Sequence, residues 1–440
     1  MPAHEDQSGH QWHLDELTKD YTLEPVPGHI NTTGWKVAMV ICAIGITLPA
    51  IWVSSDMAIA EGFREANFAF WAGNAFVAIA GIFTAIIGSR SRLSTYMILQ
   101  FSFGPTGAKL VNLLMAITLL GWFASTAELF GLALNDGIAE LTGVTVGTST
   151  AIIVSSIFMT ATTIWGYSMV ERFSILSVPL LAAFMVYVAY LAYSTADSGV
   201  YTQSPAEGSG QIVLMSITIG LAALTAVLMP DFTRYCPNDR QSIIASVVGI
   251  GITYPAVMTM AAVPAVATGE ADFVTMMVGM GVVFSALVVL IFATWSTNIT
   301  NLYSATLTLA TFVPKVPNWK ITIAGAVIAT ILAVTGVVEQ FFIPFLLFLG
   351  FASMPIIGVY VVDFFLVNKS DYSMKKLETV APIGFPALIA WGIGFALGYL
   401  NEYQIFGITP LSALDSMIIA AIAYYALVKL IPANERSGAV

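Results

Sequence analysis

The amino-acid sequence predicts an all-α membrane protein of twelve transmembrane helices, and three observations carry that prediction. Of 440 residues, 58% are hydrophobic and only 10% charged, at a mean hydropathy of +0.84; soluble domains run at roughly 45–50% apolar and about 25% charged. Beyond Lys36 the charged residues punctuate apolar stretches that approach or exceed the ~20 residues a helix needs to cross a bilayer. The basic residues, finally, sort to one side of the resulting topology.

Residues 1–34 are polar and rich in acids, Pro and Gly, and lack the basic n-region and short apolar core of a secretory signal, so they read as a cytoplasmic tail. Span 1 falls at about 37–57 and span 2 at about 66–88. Span 3 (108–136) has Lys109 at its start, and spans 4 (147–168) and 5 (173–195) flank Glu171 and Arg172. Span 6 (209–231) opens after the Gly208-Ser209-Gly210 turn and ends at Asp231, and span 7 covers 242–268. Span 8 (279–310) lies in a 42-residue charge-free run from 273 to 314. Spans 9 to 12 are expected at 320–338, 340–363, 380–400 and 408–431. With the N-terminus inside, fifteen of the sixteen Lys and Arg residues become cytoplasmic and only Arg64 lies outside, which supports twelve spans with both termini cytoplasmic. Two crossings within 273–314 would turn Lys315 and every later basic residue outward, so one long helix is expected there.

The composition also excludes functions. A net charge of −10 without a basic cluster argues against a nucleic-acid partner. Cys42 and Cys236 match neither a disulfide framework nor a zinc spacing. All four histidines (His4, His10, His13 and His29) precede span 1, so none serves metal binding or proton relay in the membrane. Aspartate clusters of the prenyltransferase kind, zincin motifs and a Walker A loop are absent. The expectation is therefore not an enzyme and not an ATP-driven pump, with no cofactor, but a solute carrier in the plasma (inner) membrane driven by an ion gradient.

Four segments carry polar chemistry. Span 1 holds Gly45 and Pro49; proline removes a backbone donor, so the helix is expected to kink or unwind there and free carbonyls that can coordinate a cation. A plain kink with packing value alone is the competing reading. Span 6 repeats an Ile-Gly step at Ile219-Gly220, where a five-plus-five inverted repeat would require it. Span 8 carries Thr294-Trp295-Ser296-Thr297-Asn298-Ile299-Thr300-Asn301. Ser296 and Thr297 offer hydroxyls and Ala293 a carbonyl to a hard cation such as sodium, while Asn298 and Asn301 offer donors and acceptors to a flat heterocycle. Span 3 carries Trp122 beside Gly121, a platform for stacking a planar ring. Glu128 and Asp415 are the acids clearly inside spans, which makes them functional candidates; Glu128, about 240° around the helix from Trp122, reads as facing a neighbouring helix.

These residues resemble the nucleobase:cation symporters, which include cytosine, purine, allantoin and hydantoin permeases. The resemblance rests on Phe101-Ser102-Phe103-Gly104, Pro230-Asp231-Phe232-Thr233-Arg234-Tyr235 and Ser296-Thr297-Asn298, with Gly166-Tyr167 and Leu176-Ser177-Val178-Pro179 similar to the bacterial cytosine-permease branch. It implies a LeuT-type fold, with a transporter core at 35–366 in which spans 1–5 and 6–10 are inverted repeats, spans 11 and 12 at 367–432 added outside, and a cytoplasmic tail at 433–440. By resemblance, sodium would be held by carbonyls of Gly45, Leu48 and Ala293 and hydroxyls of Ser296 and Thr297. The substrate would lie among Leu119, Trp122, Ser125 and Thr126 of span 3, Gly220, Leu221, Ala222 and Leu224 in a broken span 6, and Asn298 and Asn301. Cytosine-transporting relatives look to carry glutamine where Leu119 stands and a second aromatic near Ala222, and hydantoin-type relatives glutamine where Thr126 stands. The expected substrate is accordingly a planar nitrogen heterocycle of unspecified identity, taken up with sodium. The rival readings are proton coupling through Glu128 with an allantoin-, hydantoin- or thiamine-precursor-like substrate, and a sensor or channel that does not concentrate its ligand.

Overall fold

The computed structural model describes residues 21, 24–164, 167–203, 210–313 and 315–430. Most of the two terminal tails, Gly166, and the Gly208-Ser209 part of the turn before span 6 lie outside the described residues.

Each expected span window holds a helix or a helix pair, and no strand occurs among the described residues. Span 1 is α1 (Gly34–Gly45) and α2 (Leu48–Glu61), and spans 2 and 3 are α3 (Phe63–Ser91) and α4 (Thr95–Thr142). Spans 4 and 5 are α5 (Thr148–Ile164) and α6 (Tyr167–Thr195), and span 6 is α7 (Gln211–Val227) with α8 (Met229–Thr233). Span 7 runs from α9 (Asp239–Ser246) through a π-helical stretch, Val247–Thr253, into α10 (Tyr254–Thr268). The short α11 (Phe273–Gly279) precedes α12 (Val283–Ala310), which is span 8. Spans 9 and 10 are α13 (Asn318–Val334) and α14 (Val337–Val362); after the one-turn α15 (Met374–Leu377), α16 (Phe385–Glu402) and α17 (Ser412–Leu430) close the chain. Among the described residues seven helices are long and apolar enough to cross a membrane singly, and the bent α1–α2 pair makes an eighth candidate. The protein is thus a multi-pass membrane protein. The charge-free run at 273–314 contains a single membrane-length helix, α12, as the loop-charge parity required.

Two groups of helices face each other. In one, α3 packs along α7 and α10 along α2; in the other, α12 packs along α4, which also meets α13. Helix α14 bridges from α7 to α17, and α16 pairs with α17 at the periphery.

Three breaks shape this arrangement. Gly104 has φ 75° and ψ 158°, a left-handed position ahead of Pro105, so residues 95–103 form a separate leading segment that a span beginning at 108 omits. A Cβ at Gly104 would lie 2.4 Å from the carbonyl oxygen of Ala381, where the chain entering α16 passes. Span 1 bends by 61° between α1 and α2. Span 6 breaks at Leu228, not beside the Ile219-Gly220 step. The physical reason is Pro230, whose missing N–H leaves the Ala226 carbonyl without its helical donor. Thr84 Oγ1 of α3 donates to that carbonyl at 2.8 Å, and Tyr360 Oη of α14 donates to the Val227 carbonyl at 3.1 Å.

Asp415 is a structural acid. Its carboxylate accepts from the backbone N–H groups of Ile408 and Thr409, at 2.7 and 3.0 Å, and from Asn401 Nδ2 at 2.7 Å, fastening the turn between α16 and α17. Asp363, at the end of α14, accepts from Tyr372 Oη and Tyr424 Oη at 2.5 Å each and from Asn368 Nδ2 at 2.8 Å. A buried carboxylate so surrounded ties α14, α17 and the loop between α14 and α16 together. Cys42 and Cys236 are free and buried, and Cys42 Sγ hydrogen-bonds Thr253 Oγ1 at 2.9 Å.

Candidate substrate cavity and cation cluster

The break in span 1 is short and chemically specific. Only Ile46 (φ −87°, ψ 80°) and Thr47 (φ −127°, ψ 152°) separate the two helices. Pro49 cannot donate to the Gly45 carbonyl, which instead accepts from the Thr47 N–H at 3.1 Å. Thr47 Oγ1 then caps α2 by accepting from the Ala50 N–H at 3.2 Å.

A cavity opens beside this break, walled by α1, α2, α4, α7, α8, α10 and α12. Helix α12 contributes Thr297, Thr300, Asn301 and Ser304, spaced i, i+3, i+4, i+7, and α7 contributes Leu221, Leu224 and Thr225 in the same register. From α4 come Leu119 and Trp122. Trp122 is 8% exposed, and the edges of Phe342 and Phe345 from α14 hold its indole at centroid distances of 5.7 and 5.8 Å. Tyr254 of α10 presses its ring on Gly45, where a Cβ would lie 2.4 Å from the ring, and its hydroxyl meets Thr225 Oγ1 at 2.9 Å. Asn301 Nδ2, buried, has no acceptor among the described residues. The cavity therefore combines an aromatic platform, a hydroxyl pair and an unfilled amide donor, which suits a flat, polar-edged molecule.

Of the sequence-predicted substrate residues, Leu119, Trp122, Leu221, Leu224 and Asn301 line this cavity. The other five lie elsewhere, each for a structural reason. Gly220 faces α14, where a Cβ would lie 1.9 Å from the Leu346 carbonyl oxygen; it is the contact surface of two helices. Ala222 is wholly buried beside it. Asn298 turns to α4 and α5, donating from Nδ2 to the Phe123 carbonyl at 3.2 Å. Ser125 Oγ bonds back to the Trp122 carbonyl at 3.1 Å. Thr126 is fully buried, and its hydroxyl has no partner among the described residues. Glu128, 3% exposed, is buried in α4 away from the cavity lining. Thr225, Tyr254, Thr300 and Ser304 are cavity residues that the motifs did not single out; extending the Thr297 and Leu221 faces by 3.6-residue arithmetic finds three of them.

The predicted cation residues are partly gathered. Ser296 Oγ and Thr297 Oγ1 both lie 3.0 Å from the Ala293 carbonyl oxygen, and Thr297 Oγ1 lies 3.2 Å from the Ala43 carbonyl oxygen across the gap to α1. Gly45 lines the cavity at the break, while the Leu48 side chain faces an apolar cavity that it shares with Ala293. No group of three or more His, Cys, Asp or Glu side chains capable of holding a metal occurs among the described residues.

Comparison with known proteins agrees with this architecture. Residues 25–421 match the family model described as permease for cytosine/purines, uracil, thiamine, allantoin. The chain is 25% identical to the cytosine permease of Escherichia coli (strain K12) over 396 residues, 90% of this chain and 91% of that one. It is 26% identical over 426 residues to the hydantoin permease of Microbacterium maritypicum, covering 86% of each. Mhp1 in its inward-facing conformation superposes with a TM-score of 0.80 at 22% identity, over 93% of this chain and 94% of that chain. The two helix groups around a broken first span are therefore a LeuT-type arrangement. With nine-tenths of its length matched, this chain belongs to the nucleobase:cation symporter family, near the cytosine permeases, and is a permease rather than an enzyme.

Proposed function

We propose that the protein imports a planar nitrogen heterocycle of the cytosine, purine, hydantoin or allantoin kind together with sodium, by alternating access. The observation that carries this reading is one shared wall: Thr297, which joins α12 to the Ala43 carbonyl of α1, also borders the cavity that holds Trp122 and Asn301. A sodium ion taken by the carbonyls of Gly45, Leu48 and Ala293 and the hydroxyls of Ser296 and Thr297 would fasten span 8 to span 1. That fastening would set the wall against which the heterocycle stacks, so each ligand would raise the affinity of the other equally. The neutral donor set favours a monovalent cation, whose charge hydroxyl and carbonyl dipoles balance without a carboxylate.

The loop charges support twelve crossings with both termini in the cytoplasm, and the proposed site of action is the plasma (inner) membrane. In the same reading 35–366 is the transporter core and 367–432 a peripheral pair. Counterflow tests carrier action: proteoliposomes preloaded with unlabelled heterocycle should accumulate the labelled compound transiently above equilibrium. A channel or a sensor would show no overshoot. Proton coupling through Glu128 would show as uptake that follows external pH, needs no sodium and is abolished by Glu128→Gln.

A further inference from the structure

A second cavity adjoins the first and shares Leu228, Phe232, Thr300 and Ser304 with it. It continues the same helix faces: Asn112 and Met115 of α4 stand in register with Leu119 and Trp122, at i, i+3, i+7 and i+10, and α12 adds Leu307 and Thr308 beyond Ser304. Its far end is bounded by Asp231, which accepts from the Thr95 N–H at 2.8 Å, and by Arg234, on the face assigned above to the cytoplasm.

Asn112 is the informative residue. It is fully buried, its side chain lines this cavity, and neither Oδ1 nor Nδ2 has a hydrogen-bond partner among the described residues. A buried carboxamide with both its functions unfilled is costly to keep, so a native structure that retains one invites a functional account. One acceptor and one donor in a single plane are complementary to the N–H and C=O edge of a lactam or the N–H and C=N edge of an amidine ring. Phe232, Leu228 and Met115 supply apolar surface for the ring faces.

We propose that this cavity is a second binding station, in which the heterocycle leaving Trp122 is held by the Asn112 carboxamide before release. The proposal rests on the substrate class inferred above. Asn112 acts on passage, not on affinity at the central cavity.

The test uses the full chain in proteoliposomes with radiolabelled cytosine, hydantoin and allantoin, comparing wild type, Asn112→Leu, Asn112→Ser and Trp122→Ala. For a probe the wild type binds, Asn112→Leu should keep equilibrium affinity within about twofold yet slow counterflow about tenfold, the factor expected when a pair of hydrogen bonds is lost along the path. Asn112→Ser, with one hydroxyl in place of the amide, should fall between and serves if the leucine variant does not fold. Trp122→Ala should lose binding itself. Wild-type counterflow in the asparagine variants overturns the station, as does an equilibrium-binding loss equal to that of Trp122→Ala, which would make Asn112 part of the central site. Failure of the wild type to bind any probe overturns the substrate class and the station with it, a result distinct from either of those.

Discussion

The Thr297 hydroxyl lies 3.2 Å from the carbonyl oxygen of Ala43, bridging α12 to the last turn of α1 just before span 1 breaks. A second contact, at 3.0 Å to the Ala293 carbonyl, fixes the rotamer that makes this bridge. Thr297→Ala removes a proposed ion ligand and the bridge together. Sodium affinity should fall roughly tenfold, the worth of one lost polar contact, and substrate affinity measured in sodium should fall with it. Titrating the sodium dependence of uptake checks this. An unchanged sodium dependence would mean that the ion, if one is used, binds elsewhere.

Trp122 and Tyr254 make separable contributions to the same cavity. Trp122→Ala removes the stacking platform, and a base on an aromatic face is worth about 1–3 kcal/mol, so affinity should drop by roughly one to two orders of magnitude. Tyr254→Phe keeps the ring against Gly45 and removes only the hydroxyl that meets Thr225. Its expected effect is a loss of about three- to tenfold that depends on the substituents of the heterocycle. Binding isotherms with a set of ring analogues distinguish the two: loss across all analogues for Trp122→Ala, selective loss for Tyr254→Phe.

Gly220 packs against a backbone, not a ligand. A methyl group there would lie 1.9 Å from the Leu346 carbonyl oxygen, so α7 and α14 would have to separate. Gly220→Ala should lower thermal stability by an amount typical of overpacking, about 1–3 kcal/mol, with substrate affinity of the folded fraction kept within about twofold. Affinity loss at unchanged melting temperature would return Gly220 to the substrate site.

Much of this was legible in the sequence because it follows from chain chemistry. Charged punctuation and loop-charge parity give the helices and the single long α12, and Pro49 marks the break in span 1 through its missing N–H. Pro230 carries the same signal for span 6, which breaks at Leu228, about two turns past the Ile-Gly step. A contiguous polar motif on a helix is not one surface: Asn298 and Asn301 lie one and four residues past Thr297, so only the latter shares its face. Tyr254, Phe342 and Phe345 were not legible at all. Their places depend on how α10, after a π-helical stretch, and α14 pack on the site, which no local pattern encodes. Asp415 looked like a membrane-buried functional acid and caps a turn instead, because its backbone partners at 408 and 409 are close in space as well as in sequence.

The central claim is that a heterocycle and sodium bind cooperatively around Trp122 and Thr297. Thermal stabilisation of the purified protein by nucleobases, hydantoins and pyrimidine precursors, each in sodium and in matched potassium, tests it most directly, since ligand binding raises apparent stability by mass action. The account predicts a shift from at least one heterocycle that is large in sodium and small or absent in potassium. A shift of equal size in both salts would contradict sodium coupling, and no shift from any heterocycle, in protein that melts cooperatively, would contradict the substrate class.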